Sequence, residues 1–451
     1  MICVDDLSDW VGVLGGRPQA RTPHIDRLAS EALVFTHAYA PATSCAPSRT
    51  ATLYGMAPHK SGVYGHDDVH KSGAQLPQTQ LPLNSVFQNN GYRTVGCGKV
   101  FHGASSHRRG WDVYKKDFPG VAADPIPLGP NIKLECGIQA TDNDSETSDG
   151  KLTDWAISQL QEEHDRPLFL CLGLRKPHLP WDAPKKYYDL YDLESISLPV
   201  TPEDDLDDLP AAGRRFAANH VGYGAGSDHP SVVKTEGAWR KLVQAYLATC
   251  SFADANVGRM LDALRSSPHA DNTIVVVWGD HGWHLGEKQR WRKFSLWERA
   301  TRTPLIIRAP GTPSIGERVD APVGLQDLFP TLVDLCGLEI QQPLDGRSLS
   351  PLLSDPSLGW DEPTLMTHGP GNFAVRRGPW RLIHYADGSE ELYNLGSDPG
   401  EFTNLGRDSA FDPRRASLRR HLPERWLYVM GPRFEAFRDA FARSPDDREE
   451  W

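Results

Sequence analysis

The sequence predicts an α/β fold: a large, mostly parallel sheet sandwiched by helices, followed by a smaller C-terminal α+β subdomain. Short apolar runs alternate with helical patterns through most of the chain, as in strand–helix units that build a parallel sheet. After about residue 350 the pattern changes to short alternating strands joined by turns rich in Gly, Pro and Asp, which is typical of an antiparallel meander. We therefore place a main domain at residues 1–355 and the C-terminal subdomain at residues 356–451.

Individual elements follow from the spacing of apolar residues. Continuous apolar runs predict buried strands at residues 168–174, 273–278 and 304–307. Apolar residues at helical spacing predict helices at residues 152–163, 242–264 and 325–335. In the C-terminal part we expect strands at 373–377, 380–385 and 391–395 and a final helix at 418–442. Residues 121–151 and 198–230 are rich in Pro, Gly and Asp, and we expect them to be inserted loops.

Composition and charge limit the class of protein. The chain has 451 residues, and a hydrophobic fraction of 39% is enough for a sizeable core. Its net charge of −11 argues against a nucleic-acid partner, although a local cluster of basic residues could still bind an anion. No apolar run reaches the roughly 20 residues of a membrane span. No signal peptide is visible, so a cytoplasmic protein is the default expectation; a periplasmic or secreted protein is the alternative if the first strand is cut short.

The cysteines predict neither a disulfide framework nor a structural zinc site. There are 7 of them, an odd number, and no Cys-x-x-Cys pair occurs. Cys3, Cys97, Cys171 and Cys250 lie in apolar surroundings and are expected to be small buried hydrophobic residues. Cys45 differs from them, because polar residues surround it in the sequence.

Acidic residues follow two predicted strands. Asp5 and Asp6 end the first apolar run, and Asp280 with His281 ends the run at 273–278. The carboxyl ends of strands line the ligand crevice of open α/β sheets, and adjacent carboxylates repel each other unless a cation neutralises them. These residues predict a site for Ca²⁺ or Mg²⁺, with Mn²⁺ or Zn²⁺ also compatible with the imidazole. The alternative is that the acids cap the following helices.

The segment Cys45-Ala46-Pro47-Ser48-Arg49 is the most specific motif in the chain. A cysteine before a helix amino terminus can be a nucleophile of low pKa, whereas a buried inert cysteine is the plainer interpretation. Together with Leu53 and Gly55, the segment resembles the signature of the formylglycine-dependent sulfatases, in the alkaline phosphatase superfamily. In that family the cysteine is oxidised to formylglycine after translation.

The resemblance extends over nearly the whole chain. Further similar segments occur in the family's order at residues 22–29, 91–94, 98–102, 176–178, 280–287 and 392–405. The Gly98-Lys99-x-x-His102 spacing, and His281 after Asp280, look most like the iduronate-2-sulfatase branch. The resemblance implies an alkaline phosphatase-like fold with residues 1–355 as the catalytic domain. It also implies a maturation enzyme that generates formylglycine as a partner.

The resemblance further implies a role for each polar residue. Asp5, Asp6, Asp280 and His281 would hold the metal, most simply Ca²⁺ with Mg²⁺ or Mn²⁺ as alternatives, together with the modified Cys45. Arg49 and Lys99 would hold the formylglycine hydrate, one hydroxyl of which attacks sulfur. His178 and Lys293 would bind the sulfate and protonate the leaving oxygen, and His102 would help to remove the proton from the second hydroxyl. Each of these basic residues, taken alone, could instead be an ordinary surface charge or a hydrogen-bonded histidine.

The sequence leaves several hypotheses about the activity open. The leading one is hydrolysis of a sulfate ester on a carbohydrate, such as a 2-sulfated uronic acid or another sulfated small molecule or glycan. A phosphate or phosphonate monoester hydrolase of the same superfamily and a catalytically silent carbohydrate-binding relative are the alternatives. Two smaller questions are whether His281 and His284 form a zinc pair, and whether four tryptophans stack on sugar or pack in the core; these are Trp181, Trp283, Trp291 and Trp297.

Overall fold

The computed structural model describes residues 1–66, 76–77, 79–103, 109–218, 228–313 and 315–427. Its strands are β1 (Ile2–Val4), β2 (Leu33–Tyr39), β3 (Arg93–Gly98), β4 (Val113–Lys115), β5 (Ala123–Pro125), β6 (Cys136–Gln139), β7 (Leu168–Leu174), β8 (Trp181–Pro184), β9 (Val275–Gly279), β10 (His284–Leu285), β11 (Trp291–Arg292), β12 (Arg302–Arg308), β13 (Arg318–Val319), β14 (Val323–Gly324), β15 (Thr364–Thr367), β16 (Phe373–Arg377), β17 (Trp380–His384) and β18 (Glu390–Asn394). Its α-helices are α1 (Pro23–Ala29), α2 (Cys45–Tyr54), α3 (Pro58–Ser61), α4 (Leu83–Asn89), α5 (Ser148–Gln161), α6 (Lys185–Tyr188), α7 (Ala211–Ala218), α8 (His229–Lys234), α9 (Ala238–Arg265), α10 (Glu298–Thr301), α11 (Leu328–Cys336), α12 (Ser350–Ser354) and α13 (Asp412–Arg419).

The large sheet confirms the predicted fold class. Its strands follow the order β13-β2-β12-β9-β1-β7-β3-β4, and β14 also pairs with β2. The neighbours β9, β1, β7, β3 and β4 are all parallel. Strand β12 is antiparallel to both of its neighbours, so the sheet is mostly rather than wholly parallel.

Apolar side chains on the central strands pack on both faces of the sheet. Ile2 and Val4 belong to one hydrophobic cluster, and Cys3 between them belongs to another. Successive residues of a strand point to opposite faces, so this alternation places a core on each side. The long helix α9 contributes to the first cluster and α11 to the second. Burial on both faces explains why the central strands appear as unbroken apolar runs.

The parallel strands bring the predicted site residues to one edge of the sheet. Asp5 and Asp6 follow β1, and Asp280 and His281 follow its neighbour β9. On the other side of β1, His178 follows β7 by a short turn, and Lys99 directly follows β3. Segments separated by hundreds of residues therefore converge at the carboxyl ends of adjacent strands.

The C-terminal part forms the expected antiparallel sheet, in the order β15-β16-β17-β18. The buried side chain of Arg381 on β17 connects this sheet to the main domain. Its guanidinium donates to Glu298 Oε2 at 2.6 Å, to the Leu296 carbonyl oxygen at 2.6 Å and to Thr301 Oγ1 at 3.0 Å. The boundary between residues 355 and 356 remains a prediction.

Two expectations about the elements were wrong. The helix expected at 418–442 is instead α13, which begins at Asp412 and ends at Arg419; residues 420–427 are not helical, and the rest lies outside the described residues. Residues 121–151 are not merely an inserted loop, because β5 and β6 pair there and β6 runs parallel to β8. Strands this short give little periodicity to read. Of residues 198–230, the described portion contains α7.

Within the described residues, no helix combines the length and the apolar character needed to cross a membrane.

Candidate active site

The acids at the strand ends form one buried cluster. Asp6 has φ of 61°, a left-handed conformation that Asp tolerates better than most residues. Its amide donates to Asp280 Oδ1 at 2.9 Å. His281 Nε2 lies 3.2 Å from Asp6 Oδ1 and 3.6 Å from Asp280 Oδ1. The predicted metal ligands are therefore brought together across β1 and β9, as the sequence indicated.

Cys45 is the first residue of α2 and points into this cluster. Its Sγ atom lies 2.9 Å from Lys293 Nζ, 3.3 Å from His281 Nε2 and 3.8 Å from Asp6 Oδ1. Burial by itself raises the pKa of a thiol. Here the positive charges of Lys293, Lys99 and His281 outweigh burial and hold the pKa of Cys45 well below its ordinary value. The inert-cysteine alternative is therefore disfavoured.

Arg49 is completely buried and binds two of the clustered acids. Its Nε donates to Asp280 Oδ2 at 2.8 Å, and Nη2 donates to Asp5 Oδ1 at 3.2 Å. Nη1 donates to the carbonyl oxygen of Val100 at 3.0 Å, just beyond the end of β3. Helix α2 places Ser48 beside it, and the Ser48 hydroxyl donates to the Asp280 carbonyl oxygen at 2.5 Å. Ser48 lies inside the motif, but its role was not predicted.

Two lysines complete the cationic side of the pocket. Lys293 Nζ lies 2.6 Å from Asp6 Oδ1, and Lys99 Nζ pairs with Asp5 Oδ2. Burial opposes the charged form of each lysine, but Asp6 raises the pKa of Lys293 and Asp5 raises that of Lys99. Both side chains are therefore ammonium ions next to Cys45.

His178 reaches the cluster from the end of β7. Its Nε2 lies 3.9 Å from Asp6 Oδ2, and its Nδ1 lies 2.6 Å from the Leu179 carbonyl oxygen. Burial lowers the pKa of His178, but Asp6 and Asp5 outweigh that effect and raise it. Asp149 in α5 supports this segment, since its carboxylate accepts hydrogen bonds from the amides of Arg175 and Lys176. Sequence reasoning missed Asp149.

His102 adjoins the cluster with a partner that sequence reasoning also missed. Its ring stacks on that of His66, with centroids 4.2 Å apart and an interplanar angle of 23°. Burial first, and then the charge of His66, lower the pKa of His102 to about 3. Burial also lowers the pKa of His66, against a hydrogen bond with Cys45. A single histidine in a turn belongs to no motif, so no sequence pattern indicates a role for it.

The minor alternatives are now decided. His284 does not join His281, because its Nε2 lies 2.8 Å from Ser295 Oγ and its ring contacts Trp297. The four tryptophans considered as sugar platforms are all at most 2% exposed and pack in the core.

The residues present fit a divalent cation. Asp6, Cys45, Asp280 and His281 each offer an atom within 4.8 Å of the others, and Asp5 and His178 form a similar group with Asp6 and Cys45. Asp6 Oδ2 is buried and accepts no hydrogen bond from the described residues. Burial raises the pKa of Asp280 to about 6, and Asp280 raises that of His281 to about 8. An added cation would stabilise the ionised acids that burial opposes.

The fold and this pocket define a class of protein. A buried cysteine of lowered pKa lies at a helix amino terminus beside two lysines, and the acids near it suit a hard cation. Such an arrangement belongs to an enzyme that acts on a tetrahedral oxyanion such as a sulfate or phosphate ester.

Comparison with known proteins identifies the family. The sequence profile of the family described as Sulfatase matches residues 1–338, and a profile described as "N-sulphoglucosamine sulphohydrolase, C-terminal" matches residues 279–426. A protein named Sulfatase from Formosa agariphila is 34% identical over 447 residues, covering 94% of this chain and 85% of that protein. The iduronate 2-sulfatase of Homo sapiens is also 34% identical, over 391 residues that cover 75% of this chain and 69% of that enzyme.

A solved structure agrees with the fold. The phosphonate monoester hydrolase of Silicibacter pomeroyi superposes with a TM-score of 0.77 at 23% identity, covering 93% of each chain. The chain belongs to the sulfatase family, and it is an enzyme of the sulfatase type with an alkaline phosphatase-like fold.

Proposed function

We propose that this enzyme hydrolyses a sulfate ester on a carbohydrate, such as a 2-sulfated uronic acid. The similarity to an iduronate 2-sulfatase over 75% of the chain supports this substrate class. The pocket supports it chemically, because Arg49, Lys99 and Lys293 offset the charges of Asp5, Asp6 and Asp280, and a bound cation would then make the pocket positive. An anionic substrate would bind there in spite of the overall charge.

The nucleophile would be formylglycine made from Cys45. The observation that carries this proposal is the position of Cys45 Sγ, at the amino terminus of α2 and 2.9 Å from Lys293 Nζ. When hydrated, a formylglycine would supply a hydroxyl group for attack on sulfur. Arg49 binds Asp5 and Asp280, and Lys99 binds Asp5. By holding the acids that surround residue 45, the two cations would fix the orientation of that residue.

The metal would be Ca²⁺, held by Asp5, Asp6, Asp280, His281 and residue 45. When bound, it would polarise oxygen atoms and favour ionised hydroxyl groups. Three carboxylates form a hard oxygen donor set of the kind that Ca²⁺ prefers. Elemental analysis tests this choice: stoichiometric zinc and no calcium would contradict it.

The remaining residues would bind the sulfate and transfer protons. Lys293 and His178, whose pKa values are both raised, carry the positive charge and the protons needed to bind the ester and protonate the leaving oxygen. His102, whose pKa is lowered, is neutral at pH 7 and can accept a proton at a ring nitrogen.

Intact-protein mass spectrometry tests the modification. The protein would be produced with and without a formylglycine-generating maturation enzyme. We expect the mass with that enzyme to fall by the replacement of sulfur and two hydrogens with oxygen, located at Cys45 by peptide mapping. A Cys45 thiol that stays unmodified, in a protein that is inactive on all sulfate esters, would instead support a silent carbohydrate-binding protein.

A second candidate is a phosphonate or phosphate monoester hydrolase, favoured by the likeness in fold to the Silicibacter pomeroyi enzyme. Side-by-side kinetics on an aryl sulfate, a phosphate monoester and a phosphonate monoester separate the two candidates. We expect the largest kcat/KM for the sulfate. A preference for either phosphorus ester would reject our assignment. If the sulfate is preferred, a panel of sulfated mono- and disaccharides would identify the sugar.

A further inference from the structure

Arg290 is a buried cation immediately before β11. Its side chain is fully inaccessible to solvent. Among the described residues no carboxylate pairs with it, and its Nε and Nη1 atoms have no hydrogen-bond partner. Burial lowers its pKa to about 9, so burial opposes the charge that Arg290 carries at pH 7. A buried charge that no opposite charge compensates destabilises a fold. Arg290 nevertheless lies in the interior, separated from Lys293 of the pocket only by the two residues of β11.

The segment around Arg290 has a strained backbone. Lys288, Gln289, Arg292 and Phe294 all have left-handed φ angles, between 49° and 73°, although none of them is glycine. This conformation is unfavourable for a residue with a side chain and persists only where its surroundings hold it. Two of them flank Lys293 directly. The conformation that directs Lys293 Nζ toward Cys45 is therefore not one that the segment would adopt by itself.

The guanidinium of Arg290 supplies part of this restraint. Its Nη2 atom donates to the carbonyl oxygen of Lys293 at 2.8 Å and to that of Phe294 at 3.3 Å. The Phe294 amide donates to the Thr43 carbonyl oxygen at 3.1 Å, two residues before Cys45. Arg290 thus binds the backbone of Lys293, and the Phe294 amide connects the same segment to the residues that precede Cys45.

We propose that Arg290 is a positioning residue for the reaction: by binding the carbonyl oxygens of Lys293 and Phe294, it sets the place where the Lys293 ammonium meets the sulfate group. The inference rests on the proposed function of the site. A sub-ångström error in the position of such a group lowers catalysis without removing any reacting atom.

The test compares Arg290→Met, which keeps similar length but cannot donate, with Arg290→Lys, which keeps a charged donor. Arg292→Met is the matched control, because the Arg292 side chain points away, toward the Lys133 carbonyl oxygen at 3.1 Å and Asp228 Oδ2 at 3.2 Å. Each matured, metal-loaded variant would be measured for kcat and KM on an aryl sulfate, for the Kd of inorganic sulfate by calorimetry, and for Tm.

We expect Arg290→Met to lower kcat/KM roughly 30-fold and to weaken sulfate binding roughly tenfold, with Arg290→Lys intermediate and Arg292→Met within about threefold of the wild type. In a Lys293→Ala background, Arg290→Met should weaken sulfate binding by less than about threefold, because its effect passes through Lys293. Purely structural damage would be additive with Lys293→Ala.

Two results would overturn the inference: Arg290 variants equal to Arg292→Met, or full additivity with Lys293→Ala. If Arg290→Met does not fold, Arg290→Lys carries the comparison. A wild-type enzyme inactive on all sulfate esters would contradict the proposed function itself, whereas an active wild type with unaffected Arg290 variants would contradict only the role of Arg290.

Discussion

Cys45 and Cys3 show how neighbouring charges, rather than burial, give two cysteines opposite pKa shifts. Both side chains are fully buried. Burial raises the pKa of Cys3 to about 11, whereas nearby lysines and His281 hold the pKa of Cys45 well below its ordinary value. Burial likewise raises the pKa values of Cys171 and Cys250. The difference arises from neighbours that come from other parts of the chain.

At the residue scale, Cys45→Ala should lower kcat on a sulfate ester roughly 1,000-fold or more, since the proposed nucleophile is lost. The change is small in volume and should leave Tm within a few degrees of the wild type. Cys336→Ala, at the end of α11 and partly exposed, is the matched control and should remain active. Substantial activity in Cys45→Ala would contradict the assignment of the nucleophile.

At the scale of elements, the site depends on turns that follow the strands. Helix α5 presents Asp149 to the turn after β7, where the carboxylate lies 3.0 Å from the Arg175 amide and 2.9 Å from the Lys176 amide. This contact fixes the chain shortly before His178. A helix on one face of the sheet therefore positions a histidine at the sheet edge.

We predict that Asp149→Ala destabilises the protein by about 1–3 kcal/mol, because buried amides lose their acceptor. It should also lower kcat/KM by displacing His178. Asp154→Ala in the same helix is the control: Asp154 pairs with Arg259 near the surface, and its loss should cost about 0–1 kcal/mol. Thermal unfolding and kinetics would check both variants, and equal effects would argue against a special role for Asp149.

A second prediction at this scale concerns Glu401, which joins the C-terminal part to α10. Its Oε2 accepts from the Glu298 amide at 2.8 Å, and burial raises its pKa to about 7 from an ordinary value of 4.5. The protonated form is thus favoured in the folded state. Its contribution to stability is full below about pH 4.5 and is lost as the pH rises through about 7.

Glu401→Gln, which imitates the protonated acid, should therefore raise Tm relative to the wild type at pH 8 and have little effect at pH 5. The difference in the free energy of unfolding between these pH values should be on the order of 2–3 kcal/mol. Glu362→Gln, at a half-exposed site, is the control. Denaturant melts at both pH values measure this, and a larger benefit at pH 5 would reverse the assigned sign.

At the scale of the whole molecule, a cation bound by the acids of the site would connect two central strands of the large sheet. Asp5, Asp6 and Asp280 are all at most 1% exposed and lie at the ends of the two central strands β1 and β9. A metal that binds only the folded chain would stabilise it by about 2.7 kcal/mol at 100 times its Kd. Metal binding would thus be coupled to the stability of the sheet.

We predict that chelation lowers Tm and abolishes turnover, and that Ca²⁺ restores both. Asp6→Asn should respond much less to Ca²⁺, because it removes a charge from the centre of the cluster, whereas Asp320→Asn outside the site should respond like the wild type. Calorimetry with and without chelator measures the shift. A Tm that chelator leaves unchanged would contradict a bound structural cation.

The sequence identified most of the buried polar cluster because its residues occur in motifs and at strand ends. It did not identify His66, Asp149 or Arg290, which lie in segments without a motif and acquire a role only through contacts. The sequence also did not predict the antiparallel direction of β12 or the early end of α13. Apolar periodicity does not indicate the direction of a strand and locates the ends of helices poorly. Short strands such as β5 are similarly hidden.

The sequence by itself determined the α/β class, the family signature and the identity of the residues in the pocket, because apolar periodicity and local motifs are properties of neighbouring residues. Only the tertiary structure decided which charges surround Cys45, which face of His102 is covered and how Lys293 is held. Those properties depend on distances of a few ångströms between Asp6, Cys45 and Lys293, and the packing of the sheet sets these distances.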